Sequence, residues 1–145
     1  MRGQARKGEA EQGSAVIEAV IILPAFMLFV LLIIFGGRLA IARQAVEASA
    51  AEAARAASIT RTQQEAQTSA ETGAATSLAN QHVRCASHQV SVDTAGFASP
   101  VGVPANITAT VTCVVDLSDL AVPGVPGTKL ISATMSSPID TYRER

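Results

Sequence analysis

The feature that most limits this chain is the run from Ala19 to Gly37, nineteen apolar residues without a charge. With Ser14 to Ile17 added, a helix there reaches about 36 Å at about 1.5 Å per residue, against a hydrocarbon core of about 30 Å. One membrane pass is the economical reading. Glu18 stands at the mouth of that span. Carrying a carboxylate to the bilayer centre costs about 2.5–3.5 kcal/mol, and less near an interface, so Glu18 asks for a cation. A cut after Gly13 would give Ser14 a new α-amine four residues before Glu18, on the same helix face. The first turn of a helix also favours an anion by about 0.3–1 kcal/mol. The plainer alternative is a Glu at headgroup level that snorkels.

The chain is of single-domain length, 145 residues, and its first quarter belongs to the membrane. Aromatics make up 3%, with no Trp and one Tyr, so the core outside the membrane is small and built from small side chains. The net charge is −1 and no basic cluster exceeds Arg6-Lys7, which argues against a nucleic-acid binder; no aromatic platform offers to stack bases. Enzymes are disfavoured as well. There is no Gly-rich phosphate loop, no nucleophile elbow and no paired carboxylates in a cleft-forming context, and His occurs twice. No cofactor is expected.

The two cysteines, Cys85 and Cys113, both lie in the C-terminal half. An even, minimal count in a weak-cored domain reads as one disulfide, and hence as an oxidising, extracytoplasmic compartment. Closing that loop is worth about 3–4 kcal/mol by chain entropy. The alternative is zinc, with His82, Cys85, His88 and Cys113 as four ligands, although the spacing matches no standard module. The cysteines also orient the span, because Arg2, Arg6 and Lys7 on one flank nearly balance Arg38, Arg43 and Arg55 on the other. A cleavable signal peptide competes with the single-pass anchor, its cut site being Ala40-Ile41-Ala42; against it stand the length of the apolar run and the Glu at its leading edge.

Residues 1–13 form a polar arm and 14–37 the span, within which Pro24 predicts a mild kink. From Arg38 to Asn80 the sequence is Ala-rich with spaced charges, an amphipathic helical stalk. Ala42, Ala45, Val46, Ser49, Ala53, Ala56 and Ala57 follow the i, i+3, i+4 rhythm and draw a shallow stripe of small residues. Weaker helical character between Thr60 and Thr68 and around Gly73 predicts a break. Residues 81–138 form a small β region: alternation predicts strands at Gln89–Asp93, Asn106–Asp116 and Lys129–Ser136, separated by Gly/Pro loops. Residues 139–145 are a polar tail. The fold class is α+β, a long N-terminal helix packed on a small antiparallel sheet, since the helix is the partner available to cover the sheet's apolar face.

A glycine, four residues, a Glu and an apolar run with proline six residues after the Glu resembles the processing region of type IV pilin-like proteins. It is most similar to the TadE/TadG-like minor pseudopilins of Tad (Flp) pilus systems. The resemblance implies that Gly13 precedes the cut of a prepilin peptidase, that Ser14 becomes the N-terminus and that Glu18 registers subunits during assembly. Ala19 departs from the Tyr or Phe that often follows the Glu. The order of helical start, amphipathic continuation and C-terminal sheet is also the pilin-like plan. The implied function is a structural subunit or assembly factor in the cytoplasmic (inner) membrane, N-terminus inside and C-terminal domain outside. Its partners would be pilin-like subunits, Tad assembly machinery and the bilayer. The alternative is a secreted or cell-surface binding domain released by an ordinary signal peptide.

Overall fold

The computed structural model describes residues 5–120, 124 and 126–142, with side chains from residue 16 onward except that of Leu120. Its elements are α1 (Ala5–Ser58), α2 (Gln63–Asn80), β1 (Cys85–Asp93), β2 (Asn106–Asp116) and β3 (Thr128–Pro138), with short 3-10 turns at Ala95–Ala98 and Ser118–Leu120. The class is α+β. The chain divides into two compact units, Met1–Gly37 and Arg38–Arg145.

The first unit is helical from Ala5, and the helix continues through Pro24. Its large apolar side chains are exposed: Ile21 at 65%, Phe29 at 59% and Leu32 at 52%. From Val16 onward α1 is long and apolar enough to cross a membrane, by length and composition.

The second unit has a core of small side chains. From α1 come Ala42, Ala45, Val46, Ser49, Ala50, Ala53, Ala54 and Ala57, all buried. The buried Ser49 hydroxyl donates to the Val46 carbonyl at 2.8 Å, so its polar group is satisfied. From α2 come Ala66, Ala70, Ala74 and Leu78, at a spacing of four that keeps them on one helix face. β2 alternates strictly and buries Ile107, Ala109, Val111, Cys113 and Val115. Period-two alternation sends these side chains to one sheet face, and the helices cover it.

The helical break falls at residues 59–62. Thr62 caps α2, its hydroxyl accepting from the Glu65 N–H at 3.2 Å; Thr62 and Glu65 have the spacing of a capping box. Gly73 does not break α2. A Cβ added there would lie 3.3 Å from the Ala56 Cβ and 3.5 Å from the Glu52 carbonyl oxygen. Its lack of a side chain lets α2 approach α1 closely, which offsets the roughly 1 kcal/mol that Gly costs inside a helix. The far end of α2 closes on a residue with positive φ, His82 at 58°. The His82 N–H donates to the Ala79 carbonyl at 3.1 Å and the Val83 N–H to the Leu78 carbonyl at 3.3 Å. Those two bonds make a Schellman motif in which His82 stands where Gly is usual.

The sheet is antiparallel in the order β1-β2-β3. β1 begins at Cys85, four residues before the strand expected from alternation, because its register shifts between Cys85 and Ser87. An irregularity of this kind adds a residue and interrupts the period-two signal. β3 runs one residue earlier and two residues later than expected.

Candidate functional site

Gly13 and Ser14 fall within α1, as does the arm from Ala5 onward; residues 1–4 and the side chains before Val16 lie outside the described residues. Glu18 is exposed. Among the described residues no cation lies within ion-pairing distance of it; the pair that forms is Arg38 with Asp119, at 2.6 Å. Apart from the half-buried Val30 and Leu31, the large apolar side chains after Glu18 are exposed around the helix, from Val20 at 66% to Ile34 at 44%. A helix that is apolar all round needs a lipid or protein surround to cover it.

In the second unit, Cys85 and Cys113 form a disulfide with Cα atoms 5.5 Å apart. Cys85 stands opposite Val115 and Cys113 opposite His88, so the bond runs diagonally between neighbouring strands across the irregularity in β1. This disposes of the zinc alternative. Both sulfurs are bonded to each other, and His82 Nδ1–H is directed at the Asn80 carbonyl at 3.0 Å. Among the described residues no group of three or more His, Cys, Asp or Glu could hold a metal ion.

At the end of the second unit that holds Arg38, a cleft of about 590 Å³ opens between the start of its helix and two loops. Ile41, Val83, Arg84 and Leu117 line it together with the Arg38–Asp119 pair. Both partners of that pair are more than half exposed, at 51% and 64%, so it is worth about 0–1 kcal/mol. What it does is hold the loop after β2 against the first turn of the unit. The same loop is fixed by Asp116, whose carboxylate accepts from the Ser118 hydroxyl at 2.6 Å and from its backbone N–H at 3.0 Å. These two bonds, the hydroxyl first, hold the Asp116 carboxyl below its ordinary value, and the charge of Arg84 acts in the same direction.

Sequence reasoning missed the Arg38–Asp119 pair, because a separation of 81 residues carries no local signal. It also missed Gln67, whose side-chain amide donates to the Val90 carbonyl on the outer edge of β1 at 3.0 Å. Only the packing of α2 beside β1 brings those two groups together.

No curated protein and no solved structure matches the chain. Residues 13–55, a segment that holds Gly13, Glu18 and the whole apolar run, match the family model of TadE-like proteins.

Proposed function

We propose that this chain is a membrane-anchored, pseudopilin-like structural subunit or assembly factor of a Tad-type pilus. The observation that carries the reading is the TadE-like match over residues 13–55, laid on a helix whose length and composition suit a membrane anchor. The family is a structural one, and its role is assembly rather than catalysis. In this reading α1 crosses the cytoplasmic membrane once, with the arm inside and the second unit outside. The disulfide supports that sense of insertion, since such bonds persist in oxidising compartments. Pilin-like subunits, Tad assembly machinery, a prepilin peptidase and the bilayer are the partners. Gly13 precedes the cut, Ser14 becomes the N-terminus and Glu18 seeks its cation on the new amine of the same or a neighbouring chain.

Removal of an ordinary signal peptide after Ala42 fits less well. The cut would detach Arg38 from Asp119 and fall inside the helix that supplies the core, at a residue only 4% exposed. The N-terminal residue of the protein recovered from membranes tests the choice. Ser14 supports prepilin-type processing and Met1 an uncleaved anchor, whereas Arg43 would overturn the proposal. Glu18→Ala should insert normally yet reduce piliation; wild-type piliation by that variant would remove Glu18 from the mechanism.

A further inference from the structure

Arg38 directly follows Gly37, the last residue of the apolar run, and it also lines the cleft of about 590 Å³ in the second unit. Consecutive Cα atoms lie about 3.8 Å apart, so the chain itself keeps this wall of the cleft one residue from the run, at any orientation of the unit. Headgroup layers bring a bilayer from about 30 Å of hydrocarbon to about 40–45 Å, so a residue at the end of a span stands among headgroups. Lipid headgroups are then the molecules that this wall meets first.

The walls of the cleft carry both signs of charge, positive on Arg38 and Arg84 and negative on Asp116 and Asp119. The ion pair joins Arg38 Nη1 to Asp119 Oδ2. A guanidinium has further N–H donors and a carboxylate further lone pairs, so both partners keep capacity for another ligand. Both bonds from Ser118 go to Asp116 Oδ1, which leaves Oδ2 to accept elsewhere. Arg84 is exposed, and among the described residues its side chain makes no hydrogen bond or ion pair. Ile41, three residues beyond Arg38 on the same helix face and 61% exposed, adds an apolar wall.

Two cations beside two carboxylates select neither an anion nor a cation. They suit a ligand that carries both charges close together. Arginine takes phosphate through paired, charge-assisted N–H bonds, and a primary ammonium offers its N–H donors to carboxylates. We propose that the cleft binds a lipid whose headgroup joins a phosphodiester to a primary amine, the class of phosphatidylethanolamine. Its phosphate lies on Arg84 and Arg38, its ammonium on Asp116 and Asp119, and the upper part of an acyl chain against Ile41. Phosphatidylcholine shares the phosphate, but its quaternary ammonium has no N–H to donate; phosphatidylglycerol brings the anion without a cation to match the carboxylates. The inference rests on the membrane-anchor reading and is independent of the pilus assignment. A lipid so held ties the turn before β1 and the loop after β2 to the headgroup layer.

The test is a titration of the full chain in dodecyl maltoside micelles with each of the three lipids, followed by the backbone amide signals of Val83, Arg84, Ser118 and Asp119. Phosphatidylethanolamine should shift those signals to saturation, and the other two lipids should require about tenfold more, the loss expected for one charge-assisted hydrogen bond. Arg84→Gln and Asp119→Asn should each weaken the response to phosphatidylethanolamine by about tenfold with the amides of β2 unmoved, whereas Glu52→Gln, outside the cleft, should leave it as it was. Equal titrations by the three lipids overturn the proposal, and so does an unweakened response in Arg84→Gln. Glycerophosphoethanolamine, the same headgroup without acyl chains, should act only weakly; if it saturates the signals at the lipid's concentration, the occupant is a soluble phosphoamine and the lipid proposal falls. Flotation of the reconstituted chain with phosphatidylcholine vesicles separates the two readings. A chain that floats but gives no response to phosphatidylethanolamine overturns the cleft proposal alone, and a chain that does not float overturns the anchor reading and the proposal with it.

Discussion

The two stretches of α1 on either side of Gly37 are both helical and both carry apolar side chains, yet they present them in opposite ways. Between Val16 and Ile34 most apolar side chains are large and exposed; between Ala42 and Ala57 the apolar stripe is small and largely buried. Side-chain size accounts for the difference. A surround of lipid or of other helices accommodates Ile, Leu and Phe on every face. The second stretch must instead admit α2, whose Gly73 comes against Ala56 and Glu52, and a sheet on the same side. Close approach has a cost in stability. A buried Ala contributes much less than the roughly 1.5–3 kcal/mol of a buried Leu or Ile, so the second unit leans on its covalent tie.

The strongest way to break the comparison is to remove that tie. With Cys85→Ala and Cys113→Ala together, the loop of sequence separation 28 is no longer closed, and stability should fall by about 3–4 kcal/mol. Amide exchange during urea titration in detergent would show the β2 amides losing protection while those of the apolar stretch stay unchanged. Unaltered protection in β2 would mean that the small-residue core suffices by itself.

A pair of substitutions in one helix sharpens the contrast. Ala50 is fully buried, so Ala50→Leu should cost about 1–3 kcal/mol through overpacking. Phe29 is exposed, and Phe29→Ala should leave the second unit within about 0.5 kcal/mol of its original stability. Urea midpoints of the two variants, followed by exchange in β2, decide the matter. Equal effects would mean that the two stretches do not differ in what they pack against.

Much of this contrast was legible in the sequence, because hydrophobic period reports directly on packing. The alternation of β2 gave its bounds to the residue, and six of the seven positions in the small-residue stripe of α1 are buried, with Ala56 half-buried. Where the signal was local but of another kind it was misjudged. Thr62 and Glu65 mark the start of α2 by capping chemistry, whereas Gly73 drew attention as a breaker although its role is close packing. Cys85 was legible as half of a disulfide and not as the first residue of a strand, since the register shift masks the alternation there. The Arg38–Asp119 pair and the Gln67 contact have no sequence signature at all. The roles proposed for Gly13, Ser14 and Glu18 rest on the cost of a carboxylate beside the span and on resemblance, because a cut and a registering charge would act between molecules.

The smallest expected effect concerns how much of the second unit's geometry is carried by backbone alone. His82 holds a left-handed conformation at φ 58° so that α2 can end and the chain can turn into β1. A side chain there meets the carbonyl crowding that Gly escapes. His82→Gly should relieve this strain, less the greater freedom that Gly has in the unfolded chain and the loss of the Nδ1–H bond to the Asn80 carbonyl. The balance is a gain of about 0.5–1 kcal/mol, seen as a higher urea midpoint for β1 and β2. A loss instead would mean that the imidazole bond outweighs the backbone strain, and that side chains set the geometry of this unit even where the backbone is most constrained.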